Sequence, residues 1–339
     1  MKKILSLVLA ALLMTFVLSG CGSGSNSNSS SDTSQGKKPA KVVIGTQSLA
    51  EPESIVKAKS WFEEALGTKV DIVNFDAGRD VNTAMASGSI DFGMLGSVPA
   101  SLAIANGVNC KVICIQSQVG EVESLVVKKS LGIKDAQGLV GKKIATTFSS
   151  TSHYSLMKYL EVNKVKASDV DIIDMKGSDI VAAFKRGDID GAFTWEPQVT
   201  NLLNSGGVAL TSAREVAKLG YPTLDVEIVS TKFADQYPDT VKAYVACIDR
   251  AVKLYRDDPN AAGDAMAKDL GLTSEECLAQ VKSSTWLTAE EQLGSDYFGS
   301  DAFANKMLET AKFLYQQGDI TTEPSAEVFK KAVTGQYLK

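Results

Sequence analysis

The chain has 339 residues, 44% hydrophobic and 22% charged, with 35 Lys and Arg against 40 Asp and Glu for a net charge of −5. That balance fits a globular chain of about two domains at roughly 150 residues each and excludes collagen-like, disordered and coiled-coil classes. No basic run longer than a pair offers a phosphate-binding stripe, and a single histidine, His153, excludes a zinc site built on two.

In chain order, Lys2 and Lys3 precede an apolar run from Ile4 to Leu18, a charged segment followed by a hydrophobic one too short for a comfortable membrane span. Residues 1–20 therefore read as a secretory signal peptide. The run ends at Leu18-Ser19-Gly20-Cys21, which resembles the lipobox of bacterial lipoproteins and makes Cys21 the expected lipidation site. Gly22 to Gly36 is almost wholly Gly, Ser and Asn, a flexible tether with nothing apolar to bury, so residues 21–40 are expected to link an anchor to the folded part. Two acyl chains would supply the double signal that stable anchoring needs.

From Lys41 short β-rich runs alternate with amphipathic helical stretches. Strands are predicted at Val42–Ile44, Val70–Phe75, Ile90–Met94 and Cys110–Ile115, with helices at Glu53–Leu66, Val81–Ser87 and Val98–Asn106 between them. The remaining cysteines, Cys110, Cys114, Cys247 and Cys277, show no C-x-x-C spacing and read as small buried hydrophobes. The order then recurs about 100 positions later: Ile44-Gly45-Thr46 matches Ile144-Ala145-Thr146, and Val70-Asp71-Ile72-Val73 matches Val170-Asp171-Ile172-Ile173. After one deletion, Ala84, Gly88, Ile90 and Asp91 match Ala183, Gly187, Ile189 and Asp190. A strand follows at Asp225–Ser230, and the rest is helical, with helices expected at Pro238–Arg256, Pro259–Leu270, Thr273–Ser284, Ala302–Gly318 and Ser325–Thr334. The expected fold is α/β with two lobes, each a mostly parallel sheet flanked by helices. Lobe one would comprise 41–125 and 228–339, lobe two 126–227, with two chain crossovers.

Parallel α/β sheets bind ligands beyond the carboxyl ends of their strands, where helix N-termini present free N–H groups. This selects four loops, Thr46–Pro52, Leu95–Pro99, Thr146–Ser155 and Phe193–Pro197. They are rich in Ser and Thr, contain no Lys or Arg, and carry only two charges, Glu51 and Glu196. Hydroxyls and N–H groups suit a small oxyanion, while Glu51 and Asp225 suit a cationic group; helix charging and a buried salt bridge are the structural alternatives for these two. Anion and cation together describe a zwitterion. No nucleophile elbow, dinucleotide or phosphate loop, or zinc-protease motif is present, and no metal site or cofactor is expected.

Ser149-Ser150-Thr151-Ser152-His153-Tyr154-Ser155, Arg186 to Trp195 (RGDIDGAFTW) and Tyr221-Pro222-Thr223-Leu224-Asp225-Val226, in that order after a lipobox, resemble the substrate-binding proteins of taurine ABC importers. The resemblance extends to the wider group that binds alkanesulfonates, nitrate and thiamin precursors, and runs from about Val42 to Lys339. It implies a type II periplasmic-binding-protein-like fold that closes on its ligand and delivers it to a permease driven by an ATPase. It also implies a protein that is not an enzyme, lipid-anchored on the extracytoplasmic face and monomeric. Carried over by residue, Gly96, Ser97, Ser150, Thr151 and Ser152 would hold a sulfonate, Glu51 and Asp225 an amine, and Trp195 and His153 would shape the pocket. Glu196 departs from the small residue more common in taurine binders and leaves ligand size and charge open. Competing readings are another small anion or zwitterion as ligand, or a secreted hydrolase pairing His153 with a serine; a Cys-rich motif of the pyrimidine-forming enzyme of this fold is absent.

Overall fold

A computed structural model describes residues 38–339; the segment expected to be a signal peptide, Cys21 and nearly all of the expected tether lie outside the described residues. Ten strands are formed: β1 (Lys41–Thr46), β2 (Lys69–Asn74), β3 (Phe92–Gly96), β4 (Cys110–Gln118), β5 (Glu123–Lys128), β6 (Lys143–Thr146), β7 (Asp171–Asp174), β8 (Gly191–Trp195), β9 (Gly207–Ser212) and β10 (Leu224–Ser230). They make two five-stranded sheets, ordered β2-β1-β3-β10-β4 and β7-β6-β8-β5-β9. In each sheet four strands run one way and one is reversed, β10 in the first and β5 in the second, so both sheets are mixed. The reversed strand sits at a chain crossing: β5 follows β4 of the other sheet, and β10 follows β9.

The sequence repeat has a structural counterpart residue by residue. Helices Gly78–Ser87 and Gly177–Arg186 each end on a left-handed glycine, Gly88 at φ 71° and Gly187 at φ 88°, a conformation glycine adopts without a Cβ penalty. Asp91 Oδ2 accepts the Val43 N–H at 2.8 Å, and Asp190 Oδ2 accepts the Lys143 N–H at 2.9 Å, so each aspartate ties the start of β3 or β8 to its neighbour.

The predicted helix Glu53–Leu66 is instead two, Pro52–Ala58 and Trp61–Leu66, broken where Ser60 takes a left-handed φ of 53°. The break resets the helical register so that Ile55, Val56, Trp61, Phe62 and Leu66 all reach the core. The C-terminal helices follow their punctuation: Pro238 and Pro259 open helices ending at Asp257 and Leu270, and a capping box of Thr273 with Glu276 opens Ser274–Lys282. These helices return to the first sheet. Helices Pro238–Asp257 and Pro259–Leu270 pack on Pro52–Ala58, and Ala302–Gln317 packs on Ser97–Ala105. Tyr244 is sandwiched between Phe92 and Phe62, with ring centroids 4.0 and 4.5 Å away, joining helix, sheet and helix in one core. The four described cysteines are free and buried.

Candidate ligand site

The four loops selected from the sequence meet in one place, around two small adjoining compartments of about 30 and 20 Å³. Leu49, Glu123, Trp195 and Asp225 line both and form the waist between them. Roughly 10–15 Å³ of such space holds one water, so the pair suits a ligand of only a few heavy atoms.

One compartment is acidic. Glu51, Glu123, Glu196 and Asp225 line it with Gln280, and no lysine or arginine does. Glu51, at the start of helix Pro52–Ala58, is buried; its Oε1 accepts from Ser117 Oγ at 2.7 Å, while Oε2 has no donor. Glu123 opens β5 and is also buried, its Oε1 accepting from Thr151 Oγ1 at 2.5 Å and its Oε2 left without a donor. Ser152 lies near enough to favour the Glu123 carboxylate, yet no hydrogen bond closes between them. Asp225, near the start of β10, completes the trio. Burial pushes the Glu123 carboxyl up to about 8, with the negative charge of Asp225 adding to it. Asp225 itself is pushed up to about 7 by burial. Glu51 is raised well above the usual range by burial and then by Asp225. A buried carboxylate with an orphaned oxygen is costly unless a cation or a proton satisfies it. Behind the trio, Glu53 is buried too but both its oxygens are held, by Thr46 and Tyr244, whereas Glu227 accepts from Gln116 through Oε2 and has no donor at Oε1.

The other compartment is lined where three helices begin: Gly78 of Gly78–Ser87, Gly96 before Ser97–Ala105, and Ser150 and Thr151 at the head of Thr151–Val162. The first N–H groups of a helix have no partner within it and carry the positive end of its dipole, so this end favours an anion. Glycine is required at Gly96 by close approach, since a Cβ there would stand 2.7 Å from Thr151 Cγ2 on the facing lobe. The cavity is thus graded, with three helix starts at one end, Glu51 and Glu196 at the other, and Glu123 and Asp225 at the waist between them.

Residues 53–262 match the family described as NMT1/THI5 like. The chain belongs to that family. Over 305 residues, it is 34% identical to the taurine-binding periplasmic protein of Escherichia coli K12, covering 88% of this chain and 92% of that protein. Its fold is shared with the alkanesulfonate-binding protein SsuA of Xanthomonas axonopodis pv. citri, solved bound to MOPS, at a TM-score of 0.73 and 23% identity over 88% of this chain and 99% of that one. The periplasmic aliphatic sulphonate binding protein SsuA of Escherichia coli superposes with a TM-score of 0.72 at 21% identity, covering 89% and 99%.

Within this NMT1/THI5-like chain, six of the nine residues expected at the ligand line the two compartments: Glu51, Gly96, Ser150, Thr151, Trp195 and Asp225. Ser97, Ser152 and His153 do not. The Ser97 hydroxyl accepts the Leu224 N–H at 3.2 Å and faces a separate cavity of about 150 Å³ behind the site. His153 stacks on Phe148 at 4.6 Å and its Nδ1 accepts the Ser149 N–H at 3.2 Å, so the ring braces the turn before its helix. Burial lowers its pKa, against the opposing charges of Asp319 and Asp174. No serine or threonine hydroxyl bonds that ring among the described residues, so the pair a hydrolase would need is not formed. Thr151 enters the site differently from expectation, its hydroxyl being spent on Glu123. Glu196 reaches the acidic compartment, but its two oxygens accept from Thr200 at 2.9 and 3.1 Å and cap the helix Gln198–Leu203. Sequence reasoning missed Glu123 and Gly78. The signal for Glu123 is an acid opening an otherwise apolar strand, Glu123-Ser124-Leu125-Val126-Val127, at a chain crossing, the same pattern that drew attention to Asp225.

Proposed function

We propose that this chain is the extracytoplasmic substrate-binding component of an ABC importer and captures taurine or a similar small aminosulfonate between its two lobes. The graded cavity carries this reading. The sulfonate sits against the helix starts at Gly78, Gly96 and Thr151, and the ammonium among Glu51, Glu123 and Asp225. The lobes are 41–125 with 228–339, and 126–227. The protein works as a monomer, held at the membrane by a lipid on Cys21, and passes its ligand to a permease rather than transforming it. Taurine has about seven heavy atoms, so a ceiling of roughly −1.5 kcal/mol per atom allows about −10 kcal/mol, against about −8.2 for micromolar binding. Nearly every ligand atom must be engaged, which a cavity this small favours.

Calorimetric titration of the mature chain with taurine and with ethanesulfonate, which lacks the amine, tests the reading. Taurine should bind at least tenfold more tightly, the low end for a hydrogen bond to a charged group being about 1.5 kcal/mol. Equal affinities would remove the carboxylate role, and no heat with either would remove the ligand class.

A further inference from the structure

The cavity of about 150 Å³ behind the site is built by two helices that come from different halves of the chain. Tyr154 and Lys158, one turn apart on Thr151–Val162, form one wall, and Phe303, Lys306, Met307 and Thr310, on successive turns of Ala302–Gln317, form the other. Its floor is buried and largely apolar, made by Leu224, Phe303, Met307 and the ring of Tyr154. An enclosed apolar space of about this volume takes a benzene-sized body. Its mouth is charged, because Lys306 and Glu309 are exposed and Lys158 is only half-buried. Lys158 is tethered: its Nζ lies 2.7 Å from Glu161 and 5.8 and 5.0 Å from the rings of Tyr154 and Tyr221. The Lys306 side chain, by contrast, has no ion pair or hydrogen bond among the described residues. Two lysines against one glutamate leave this mouth positive, the reverse of the acidic compartment.

We propose that this cavity is a second binding site, for a small aromatic monocarboxylate whose ring lies on the buried floor and whose carboxylate stays at the mouth with Lys158 and Lys306. The floor and the free cation together set the class. A neutral ring forgoes Lys306, a dianion meets Glu309, and a body much larger than one ring exceeds the volume. The position of the cavity couples it to the ligand site. Ser97, whose hydroxyl faces it, starts the helix that follows Gly96, and Tyr154 lies one turn beyond Thr151, so an occupant touches both helices whose starts flank the anion compartment. By bridging the two walls it favours the arrangement that also encloses the ligand site, and each ligand strengthens the other by the same factor.

The probe is benzoate, titrated calorimetrically into the mature chain with and without saturating taurine, beside benzamide as its neutral isostere. Benzoate should bind with a Kd of about 1 mM or tighter, and benzamide about tenfold more weakly or worse. Lys306→Gln, at an exposed position that leaves the core intact, should weaken benzoate by about fivefold or more and keep taurine within about twofold. Met307→Phe, which puts a ring of the protein's own into the cavity, should cost benzoate about tenfold or more. Taurine should tighten benzoate by about fivefold or more. Absence of benzoate binding, or binding undiminished in both variants, would overturn the site. Benzoate displaced by taurine would overturn it as well, by moving the carboxylate into the ligand cavity, and affinities indifferent to taurine would overturn the coupling. Only the taurine arms rest on the aminosulfonate reading: if taurine itself gives no heat that reading falls, and benzoate with the two variants still decides the cavity.

Discussion

Ligand capture should expel protons. Glu123, held up at about 8, and Asp225, at about 7, keep their protons at pH 6 in the empty site, and Glu51 lies above the usual range as well. An ammonium among them is stabilised by the ionised forms, so its arrival drives protons off. Linkage sets the size: each proton released per ligand tightens binding tenfold per pH unit, about 1.4 kcal/mol. The slope is steepest below about 7, where both groups start protonated, and fades above about 8, where neither has a proton left to lose. The taurine Kd should therefore fall by at least about tenfold between pH 6 and pH 8. Ethanesulfonate should show no such gain and should weaken as the carboxylates ionise beside it. Calorimetry at pH 6.5 in two buffers of different ionisation enthalpy reads the released protons directly, with about one expected for taurine and none for ethanesulfonate. A pH-independent taurine Kd with no buffer-dependent heat would refute the carboxylate trio as the ammonium site.

Glu123→Gln should weaken taurine by about tenfold or more and spare ethanesulfonate, since it removes an anion but keeps the acceptor for Thr151; equal losses for the two ligands would mark Glu123 as a structural acid. Because buried acids with raised pKa values bind more protons in the folded chain than in the unfolded one, the empty protein should lose stability as pH rises from about 5 to 8, by up to about 1.4 kcal/mol per unit for each group. Thermal unfolding across that range checks the sign, and taurine should recover most of the loss at pH 8. Cys21→Ser should move the chain from the membrane fraction to the soluble one in a host that processes lipoproteins; unchanged membrane association would place the anchor elsewhere.

How far the sequence reveals this molecule depends on the kind of information each feature needs. Backbone punctuation is local, so the C-terminal helices at Pro238, Pro259 and Thr273 begin within a residue of where proline and capping residues put them. The four cleft loops are equally local, being the ends of short, nearly continuously buried strands. The break at Ser60 is not, because it answers to where Trp61 and Phe62 must sit against Tyr244, nearly two hundred residues away. The strand β9 is hidden for a related reason: it lies at a sheet edge with only Ser212 of its six residues buried and shows little apolar alternation. Motifs place Ser97, Ser152 and His153 near the site, yet which way a hydroxyl or ring turns is settled by distant partners. Leu224 claims the Ser97 oxygen, and Phe148 claims the His153 face.

The repeat explains the cavity's polarity and would have led to Glu123. Where the two halves hold up the sheets they have kept the same residues, as Asp91 and Asp190 or Gly88 and Gly187 do. Where they face the ligand, equivalent positions have opposite chemistry. Glu51 lies one hundred positions before Thr151, so matched loops contribute an acid from one half and a helix start bearing a hydroxyl from the other. Gly96 and Trp195 are matched in the same way, one admitting the facing helix and the other walling the waist. The reversed strands complete the relation. Asp225 pairs with Gly96 across the first sheet, and Glu123 pairs with Trp195 across the second, so the two acids occupy one register position in the two halves. Two symmetry-related carboxylates therefore meet at the waist from opposite sides, and only the third, Glu51, is asymmetric. On the aminosulfonate reading proposed above, Glu51 sets which end of the cavity holds the cation, and the helix starts at Gly78, Gly96 and Thr151 set where the anion lies.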